Sequence, residues 1–158
     1  MKSLEAALYG LSHLFLAPVL VLILLALAYA FLVLGAFLLE AWQRRRGRHR
    51  SALARWYARH GGTSDDLELW IMRRLEWLRI VARTAPMLGL VATMIPMGPA
   101  LLALTRGDAQ SVGENMVVAF SSVILALVSA SITFLVLTVR RRWLLDELRA
   151  IERAREAG

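Results

Sequence analysis

The chain has 158 residues, of which 58% are hydrophobic and 20% are charged, and its formal net charge is +7. Soluble domains are about 45–50% apolar, so this composition argues against a soluble domain. The chain contains no cysteine, which excludes disulfides and metal sites built on cysteine.

Three stretches of the sequence contain no Asp, Glu, Lys or Arg. They cover residues 6–39, 84–105 and 115–139, which are 34, 22 and 25 residues long. A membrane-spanning helix needs roughly 20 consecutive apolar residues, so each stretch is long enough for one span. The sequence therefore predicts an all-α integral membrane protein with three transmembrane helices.

The first stretch is longer than one span requires. As a helix it would measure about 50 Å, whereas the hydrocarbon core of a bilayer is about 30 Å thick. Pro18 divides the stretch, so we predict an interfacial helix over residues 1–17 and span 1 over residues 18–40. The stretch is also too long for a signal peptide, whose apolar region has about 7–15 residues.

Between spans 1 and 2 lies a basic segment, residues 41–83, for which we predict a cytoplasmic helical hairpin. The helix of span 1 is expected to continue through Ala58, and the motif "HGGTSDD" then interrupts it, because adjacent glycines are unfavourable in a helix. Thr63 and Ser64, followed by acidic residues, are typical of a helix start. The next helix has an apolar stripe and runs into span 2 without a break. The stripe consists of Leu67, Ile71, Leu75, Leu78 and Ala82.

Span 2, over residues 84–105, contains helix breakers that ordinary spans avoid. Its first part reads "TAPMLGLVATMIPMGP", with three prolines and two glycines. Proline frees a backbone carbonyl, which is tolerable in a membrane only inside protein or beside a wet cavity. Close helix packing in lipid also needs small residues, so we assign Gly89, Pro96 and Pro99 to a packed or pore-lining face.

A short extracytoplasmic loop, residues 106–113, leads to span 3, residues 114–139, whose helix is expected to continue over residues 140–158. Span 3 has small residues four apart, including Ala126 and Ala130, whereas span 1 is rich in leucine nearly all round. We therefore expect spans 2 and 3 to face protein, with Ala126 and Ala130 on the packed or pore-lining face, and span 1 to face lipid.

Hydroxyl side chains lie inside two of the spans: Thr93 near the middle of span 2, and Ser121 and Ser122 about two turns into span 3. One interpretation is helix packing, in which each hydroxyl binds a carbonyl of its own helix. The other is a shared polar path for an ion. The uncharged stretches of these two spans, residues 84–105 and 115–139, contain no Asp, Glu, Lys, Arg or His, which proton paths in membranes usually employ. If the protein conducts ions, a partner must therefore supply the titrating group.

The basic residues lie almost entirely on one side of the predicted spans. Eleven fall in residues 44–83 and six in residues 140–155, against Lys2 and Arg106 on the other side. This is the positive-inside pattern. It predicts an outside N-terminus and a cytoplasmic C-terminus. Topology and contact with anionic membrane lipids then explain the charge, and nucleic-acid binding is not expected.

The segment "RTAPMLGLVATMIPMG" resembles the span-2 signature of the MotA/TolQ/ExbB proton-channel family, and "ENMVVAFSSVILALVSASITFLVLTVRRRW" resembles the family's third span. The three-span topology is similar to that of the TolQ/ExbB branch, and the resemblance implies a minimal member of that branch in the inner (cytoplasmic) membrane. Thr93 falls on the family's span-2 threonine, and Glu114 falls on the acid that opens the third span. An alternative for Glu114 is helix capping, because "SVGE" from Ser111 is a capping-box pattern.

The resemblance implies a homopentamer that encloses two helices of a single-span ExbD/TolR-like partner. Each partner helix brings a membrane aspartate to a polar ring, and ion flow drives mechanical work. Two departures concern the ring: the family's span-3 threonine falls on Ala119, and Val128 stands where a proline is common. The span-3 hydroxyl is therefore Ser121 or Ser122, and the ion is a proton or sodium.

These observations predict a pore or stator subunit of an ion-driven membrane motor, powered by protons. The alternative is a structural membrane scaffold that conducts no ions. An enzyme is not expected, because the sequence has no nucleophile–base pair and no cluster of metal ligands, and we expect neither cofactor nor metal. The residues assigned to the ion path are Thr93, Ser121, Ser122 and Glu114.

Overall fold

The structure, a computed structural model, describes residues 2–47, 51–61 and 63–156. Within these residues it contains α1 (Lys2–Arg45), α2 (Ala52–His60), α3 (Ser64–Thr105) and α4 (Ala109–Glu156). Three segments are long and apolar enough to cross a membrane: Leu14–Arg45, Ser64–Thr105 and Ala109–Glu156. The predicted all-helical class and the three candidate membrane-spanning helices are therefore confirmed.

Helix α1 is continuous, and the predicted division at Pro18 is wrong. The helix contains 44 residues, with Pro18 inside it. Proline fixes φ near −65°, a helical value, and removes only one helical hydrogen bond. Such a loss is tolerated in spans where neighbouring groups satisfy the freed carbonyl. The surplus length of the first apolar stretch therefore extends one helix and does not form a second one.

The chain leaves α1 earlier than predicted, at Arg45 and not at Ala58. Gly47 adopts a positive φ of 66°, and its N–H donates to the Arg44 carbonyl at 3.2 Å, which is typical of a helix C-terminus. A separate helix, α2, begins after Ser51, whose hydroxyl accepts a hydrogen bond from the Ala54 N–H at 3.0 Å. The first glycine of "HGGTSDD" ends α2 at Gly61, where φ is 62°, and the second, Gly62, lies outside the described residues.

Helix α3 begins at the predicted cap. The Thr63 N–H donates to Asp66 Oδ2 at 2.9 Å, and the Asp66 N–H donates to Thr63 Oγ1 at 3.4 Å, which is a reciprocal cap. Hydrogen bonds from the backbone and hydroxyl of Thr63 lower the pKa of the Asp66 carboxyl below its ordinary value of 3.8. The helix then continues for 42 residues through three prolines.

The chain divides into two compact units. Unit 1 comprises Met1–Phe31 and Val81–Ser131, and unit 2 comprises Leu32–Ile80 and Ile132–Gly158. In unit 1, Val19 and Ile23 pack with two buried alanines, Ala92 and Ala126. Unit 2 has a core of large apolar side chains from α2, α3 and α4. These are Leu53, Leu67, Ile71, Leu75, Leu144 and Leu148, with partly buried tryptophans beside them.

Candidate functional site

Helices α3 and α4 approach each other closely at Gly89. A Cβ atom on Gly89 would lie 2.9 Å from Ala126 Cβ and 3.4 Å from Val123 Cγ2. Carbon atoms pack at about 3.5–4.0 Å, so a side chain at this position would displace its neighbours. The structure therefore brings together Gly89 and Ala126, two of the residues assigned to the packed or pore-lining face, and buries both.

Small residues form the buried faces of both helices in unit 1. The α3 residues of this kind are Ala85, Gly89, Ala92, Pro96, Ala100 and Ala103, and the α4 residues are Ala119, Ser122, Ala126, Ser129 and Ala130. These are the faces that we expected to meet protein, and they are buried within one chain. Most large apolar side chains of α1 between residues 14 and 39 are exposed, although Val19 and Ile23 are buried.

Pro96 lies inside the protein and interrupts the hydrogen bonding of α3 there. Proline has no N–H, so the carbonyl four residues earlier, that of Ala92, loses its helical partner. Both residues are fully buried, so the freed carbonyl is enclosed by protein, as a membrane-spanning segment requires. Pro99, the other assigned proline, is partly buried.

The hydroxyl of Thr93 binds its own helix. Thr93 is partly buried, and its Oγ1–H donates to the Leu90 carbonyl at 2.7 Å. This bond uses the hydroxyl proton and leaves oxygen lone pairs that can accept another hydrogen bond. Within the described residues, no hydrogen bond joins Thr93 to Ser121 or Ser122, so one chain alone does not link these hydroxyls into a polar ring.

The two adjacent serines of α4 have different surroundings. Ser122 is 4% exposed, and its hydroxyl donates to the Val118 carbonyl at 2.6 Å. Ser121 is exposed. It lies two helical turns after Glu114, which is also exposed, so the two share one face of α4. The structure therefore groups Ser121 with Glu114 and separates both from Ser122.

Glu114 does not cap α4, and the capping-box interpretation of "SVGE" is wrong. The helix begins at Ala109, and its cap is Asp108, which accepts hydrogen bonds from the Ser111 N–H at 3.1 Å and the Ser111 hydroxyl at 2.5 Å. These bonds lower the pKa of the Asp108 carboxyl. Glu114 lies within the helix, where it accepts a hydrogen bond from Gln110 Nε2 at 3.1 Å. The helix thus begins inside the predicted loop, residues 106–113.

The profile of the MotA/TolQ/ExbB proton channel family matches residues 64–153, more than half of the chain. The chain belongs to this family. Comparison with curated proteins and with solved structures gave no match. The family match covers all of α3 and all of α4 except its last three residues, so it includes every residue assigned to the candidate site.

Membership of the MotA/TolQ/ExbB family implies a proton-channel type of membrane function, and the family is not a class of enzymes. The chain is accordingly a multi-pass membrane protein. The resemblance noted in the sequence is confirmed, and it extends beyond the two quoted segments to the helix ends outside the uncharged stretches.

Unit 2 contains a network of charged side chains that the sequence did not predict. Glu40 binds Arg44 and Arg140, each with a nitrogen–oxygen distance of 3.2 Å. Arg44 also binds Glu147 at 2.5 Å, and the Ser51 hydroxyl donates to Glu147 at 2.6 Å. The only sequence signal is that Glu40 and Arg140 are the first charges after their uncharged stretches.

Aromatic stacking surrounds the same network. The guanidinium of Arg44 lies 4.5 Å from the centre of a Trp143 ring, and Phe37 stacks on Trp143 with ring centres 5.3 Å apart. These contacts join the C-terminal part of α1 to α4, because both cation–π attraction and stacking favour this geometry.

Proposed function

We propose that this chain is the pore-forming stator subunit of a proton-driven membrane motor that works through a single-span partner of the ExbD/TolR type. One observation carries the proposal. The family match covers two long helices whose uncharged segments contain buried hydroxyls, a proline-freed carbonyl and no ionisable side chain. Such a surface can guide a proton but cannot carry it on a carboxylate.

The absence of an acid from residues 84–105 and 115–139 makes a partner necessary. Proton paths in membranes use Asp, Glu or His as relay groups. A partner helix with one aspartate would supply that group, and it would need a protein enclosure because a lone charge in lipid is costly. We propose five copies of this chain around two partner helices, a number that comes from the family resemblance.

The hydrogen bond of Thr93 suggests how the chain would distinguish the two protonation states of that aspartate. A protonated carboxyl donates a hydrogen bond, and the Thr93 oxygen can accept it while its own O–H continues to donate to the Leu90 carbonyl. An ionised carboxylate only accepts, so Thr93 would have to turn its hydroxyl away from Leu90. The two states would therefore favour two Thr93 rotamers.

On α4, the observed exposures favour Ser121 over Ser122 as the hydroxyl that meets the ion path. Ser122 is buried and bonded to Val118, whereas Ser121 is exposed on the same helix face as Glu114. We propose that Glu114 attracts protons to the outer end of this face and that Ser121 lies further along it. Gly89, Pro96, Pro99, Ala126 and Ala130 would then shape the enclosure without binding the ion.

The decisive experiment is proton flux into vesicles that contain the chain and its partner, followed with a pH-sensitive dye. Thr93→Val keeps the shape of the side chain and removes the hydroxyl, so we expect it to assemble normally and to reduce flux strongly. Thr93→Ser should retain more flux. Ser121→Ala should reduce flux, and its neighbour Ser122→Ala is the matched control that should reduce it less.

Wild-type flux in both Thr93 variants would show that the Thr93 hydroxyl only binds its own helix and takes no part in the ion path. The alternative function, a structural scaffold, predicts no flux in any complex, including that of the wild-type chain. Orientation can be tested separately: probes at Arg59 and at the C-terminus should report the cytoplasm, and a probe at Asp108 should report the other side of the inner membrane. A reversed pattern would contradict the positive-inside argument.

A further inference from the structure

Unit 2 contains a cavity between α2 and α3 that the proposed function does not use. Its volume is about 210 Å³, and it is partly open to solvent. Three of the side chains that line it are basic, two are tryptophans and none is acidic. The lining residues are Ala52, Arg55, Trp56, Arg59, His60 and Trp70. The cavity therefore combines an aromatic wall with a concentration of basic groups.

The aromatic wall is held by the core of unit 2. Trp56 and Trp70 are half-buried and pack against the cluster that contains Leu53 and Leu67. The centres of the two tryptophan rings are 6.5 Å apart, and His60 stacks on Trp56 with ring centres 5.0 Å apart. His60 Nδ1 lies 3.2 Å from the Trp56 carbonyl, and because a carbonyl only accepts, Nδ1 is the donor. The imidazole is thus oriented, and its Nε2 atom is the one that can meet a ligand.

The two arginines of the cavity carry charges that the chain does not neutralise. Among the residues that the structure describes, neither Arg55 nor Arg59 forms an ion pair, whereas Arg44 in the same unit binds both Glu40 and Glu147. Arg59 lies in the last turn of α2, where the helix dipole favours a cation, but Arg55 lies one turn earlier. Like charges four residues apart destabilise a helix, so an anion bound to both arginines would offset their repulsion.

Membrane lipid does not reach this cavity. Trp70 belongs to the continuous helix α3 and precedes Thr84, where the uncharged stretch begins, by about 21 Å along the helix axis. The polar layer on each side of a bilayer is only about 5–8 Å thick. The cavity therefore lies in water, beyond the lipid headgroups, and its ligand is a dissolved molecule.

The size and chemistry of the cavity restrict that ligand. Sites for drug-sized molecules usually enclose about 300–1,000 Å³, so a cavity of about 210 Å³ suits a smaller molecule. A flat aromatic ring packs favourably against tryptophan. Phosphate and carboxylate groups match the planar donors of arginine and form its strongest hydrogen bonds.

We propose that the cavity binds a small soluble anion that carries one aromatic ring. The ring lies against Trp56 and Trp70, and the phosphate or carboxylate group lies between Arg55 and Arg59. A ligand held by both helices stabilises α2 against α3, because it binds the folded chain and not the unfolded one. The site needs neither the partner nor the ion path, so it stands or falls independently of the proposed function.

Isothermal titration calorimetry of the purified chain in detergent tests the site with three probes. Phenyl phosphate carries the ring and the charge, inorganic phosphate carries the charge alone, and benzamide carries a ring without charge. We expect phenyl phosphate to bind at millimolar or lower concentration and each of the other two to bind at least roughly tenfold more weakly, a difference of about 1.4 kcal/mol. Equal binding of phenyl phosphate and inorganic phosphate would overturn the proposal, as would no binding of phenyl phosphate.

Arginine variants assign the binding to this cavity. Arg55→Gln and Arg59→Gln should each weaken phenyl phosphate binding roughly tenfold, since each removes a charge-assisted hydrogen bond. Both side chains are exposed, so the unfolding temperature without ligand should change little and serves as the check on folding. The matched control is Arg73→Gln, which removes an exposed α3 arginine that does not line the cavity. An equal loss in Arg73→Gln would mean general attraction to a basic protein and would overturn the site.

A membrane comparison separates a dissolved ligand from a lipid headgroup. The same titration in nanodiscs with and without anionic lipid should give the same affinity at physiological salt, because the cavity lies farther from the headgroups than the screening length of about 8 Å. Loss of phenyl phosphate binding in the anionic nanodiscs would show that lipid phosphate occupies the site and would overturn the assignment to a soluble anion.

Discussion

The two units of the chain bury different kinds of side chain. In unit 2 the fully buried residues are mainly leucine and isoleucine, with tryptophan packed beside them. In unit 1 they are mainly alanine, with glycine and serine, and Val19 and Ile23 are the large aliphatic exceptions in the described part of α1. Helices α3 and α4 contribute residues to both cores.

The difference follows from the solvent that each core displaces. In water, burial of apolar area drives association at about 25 cal/mol per Å², so large side chains stabilise a core most. In lipid there is no such drive between helices, and stability comes from close contact and internal hydrogen bonds. The Gly89–Ala126 approach and the Ser122 bond to Val118 are contacts of that second kind.

The largest effect is expected from truncation in unit 2. Leu75 is 2% exposed, and replacing a buried leucine by alanine costs about 2–5 kcal/mol. For a chain of this length, Leu75→Ala should lower the unfolding temperature in detergent by roughly 4–20 °C. The control, Leu39→Ala, truncates a side chain that is 62% exposed and should have little effect. Equal losses would show that the unit 2 core is not driven by burial.

In unit 1, enlarging a buried small residue should be harmful. Gly89→Leu adds a side chain where even a Cβ would lie 2.9 Å from Ala126, and overpacking costs about 1–3 kcal/mol. We expect lower thermal stability and a smaller yield of assembled complex by size-exclusion chromatography. Gly35→Leu is the matched control, because nothing lies within 4 Å of a Cβ built at Gly35. A stable Gly89→Leu variant would contradict the close-packed description of unit 1.

The sequence predicted the features that local patterns determine. The stripe of α3 is visible as spacings of three and four. Its four large residues, Leu67, Ile71, Leu75 and Leu78, are buried, and Ala82 is partly buried. The Thr63 cap is visible because a hydroxyl precedes a cluster of acids. Small residues in spans 2 and 3 predicted close packing, since few other surfaces need so many of them.

Other features depend on distant or competing groups, and the sequence did not determine them. Two residues near the start of α4, Asp108 and Ser111, could cap the helix. Asp108 is the cap in the structure, because it accepts the Ser111 N–H. Gly107, with a φ of 72°, turns the chain just before it. The end of α1 was missed because arginines favour helix, while Ser51 is held by Glu147, 96 residues away. Whether Ser121 or Ser122 is buried depends on which face of α4 packs.

A smaller effect is expected from the charged network of unit 2. Glu147 accepts bonds from Arg44 and Ser51, and its side chain is 16% exposed. Glu147→Gln keeps the shape but removes the charge, and hydrogen bonds to charged groups contribute about 1.5–3 kcal/mol, with less where water screens them. We expect a drop of a few degrees in unfolding temperature. Glu156→Gln, an exposed change on the same helix, should leave the temperature unchanged.

High salt provides the check on this prediction. If the network stabilises unit 2 by charge, the difference between Glu147→Gln and the wild-type chain should shrink as salt rises, because partly exposed pairs are screened. The difference caused by Leu75→Ala should persist. A salt-independent Glu147→Gln effect would assign the role of Glu147 to its shape and neutral hydrogen bonding.

The smallest expected effect is at the start of α3, and it depends on pH. Hydrogen bonds from Thr63 lower the pKa of Asp66 below 3.8. Because the folded-state pKa is below the unfolded value, the ionised carboxylate stabilises the fold. This contribution is complete above pH 3.8 and is lost as the pH falls through the lowered pKa. Asp66→Asn should therefore be slightly less stable than the wild-type chain at pH 7, and the difference should be smaller at pH 2. Asp65→Asn removes a charge from the same turn without disturbing the Thr63 bonds, so its effect should be smaller at pH 7.

If Asp66→Asn were equally destabilising at both pH values, the cap would stabilise α3 through its geometry alone. The comparison between the units would then rest on packing and not on charge.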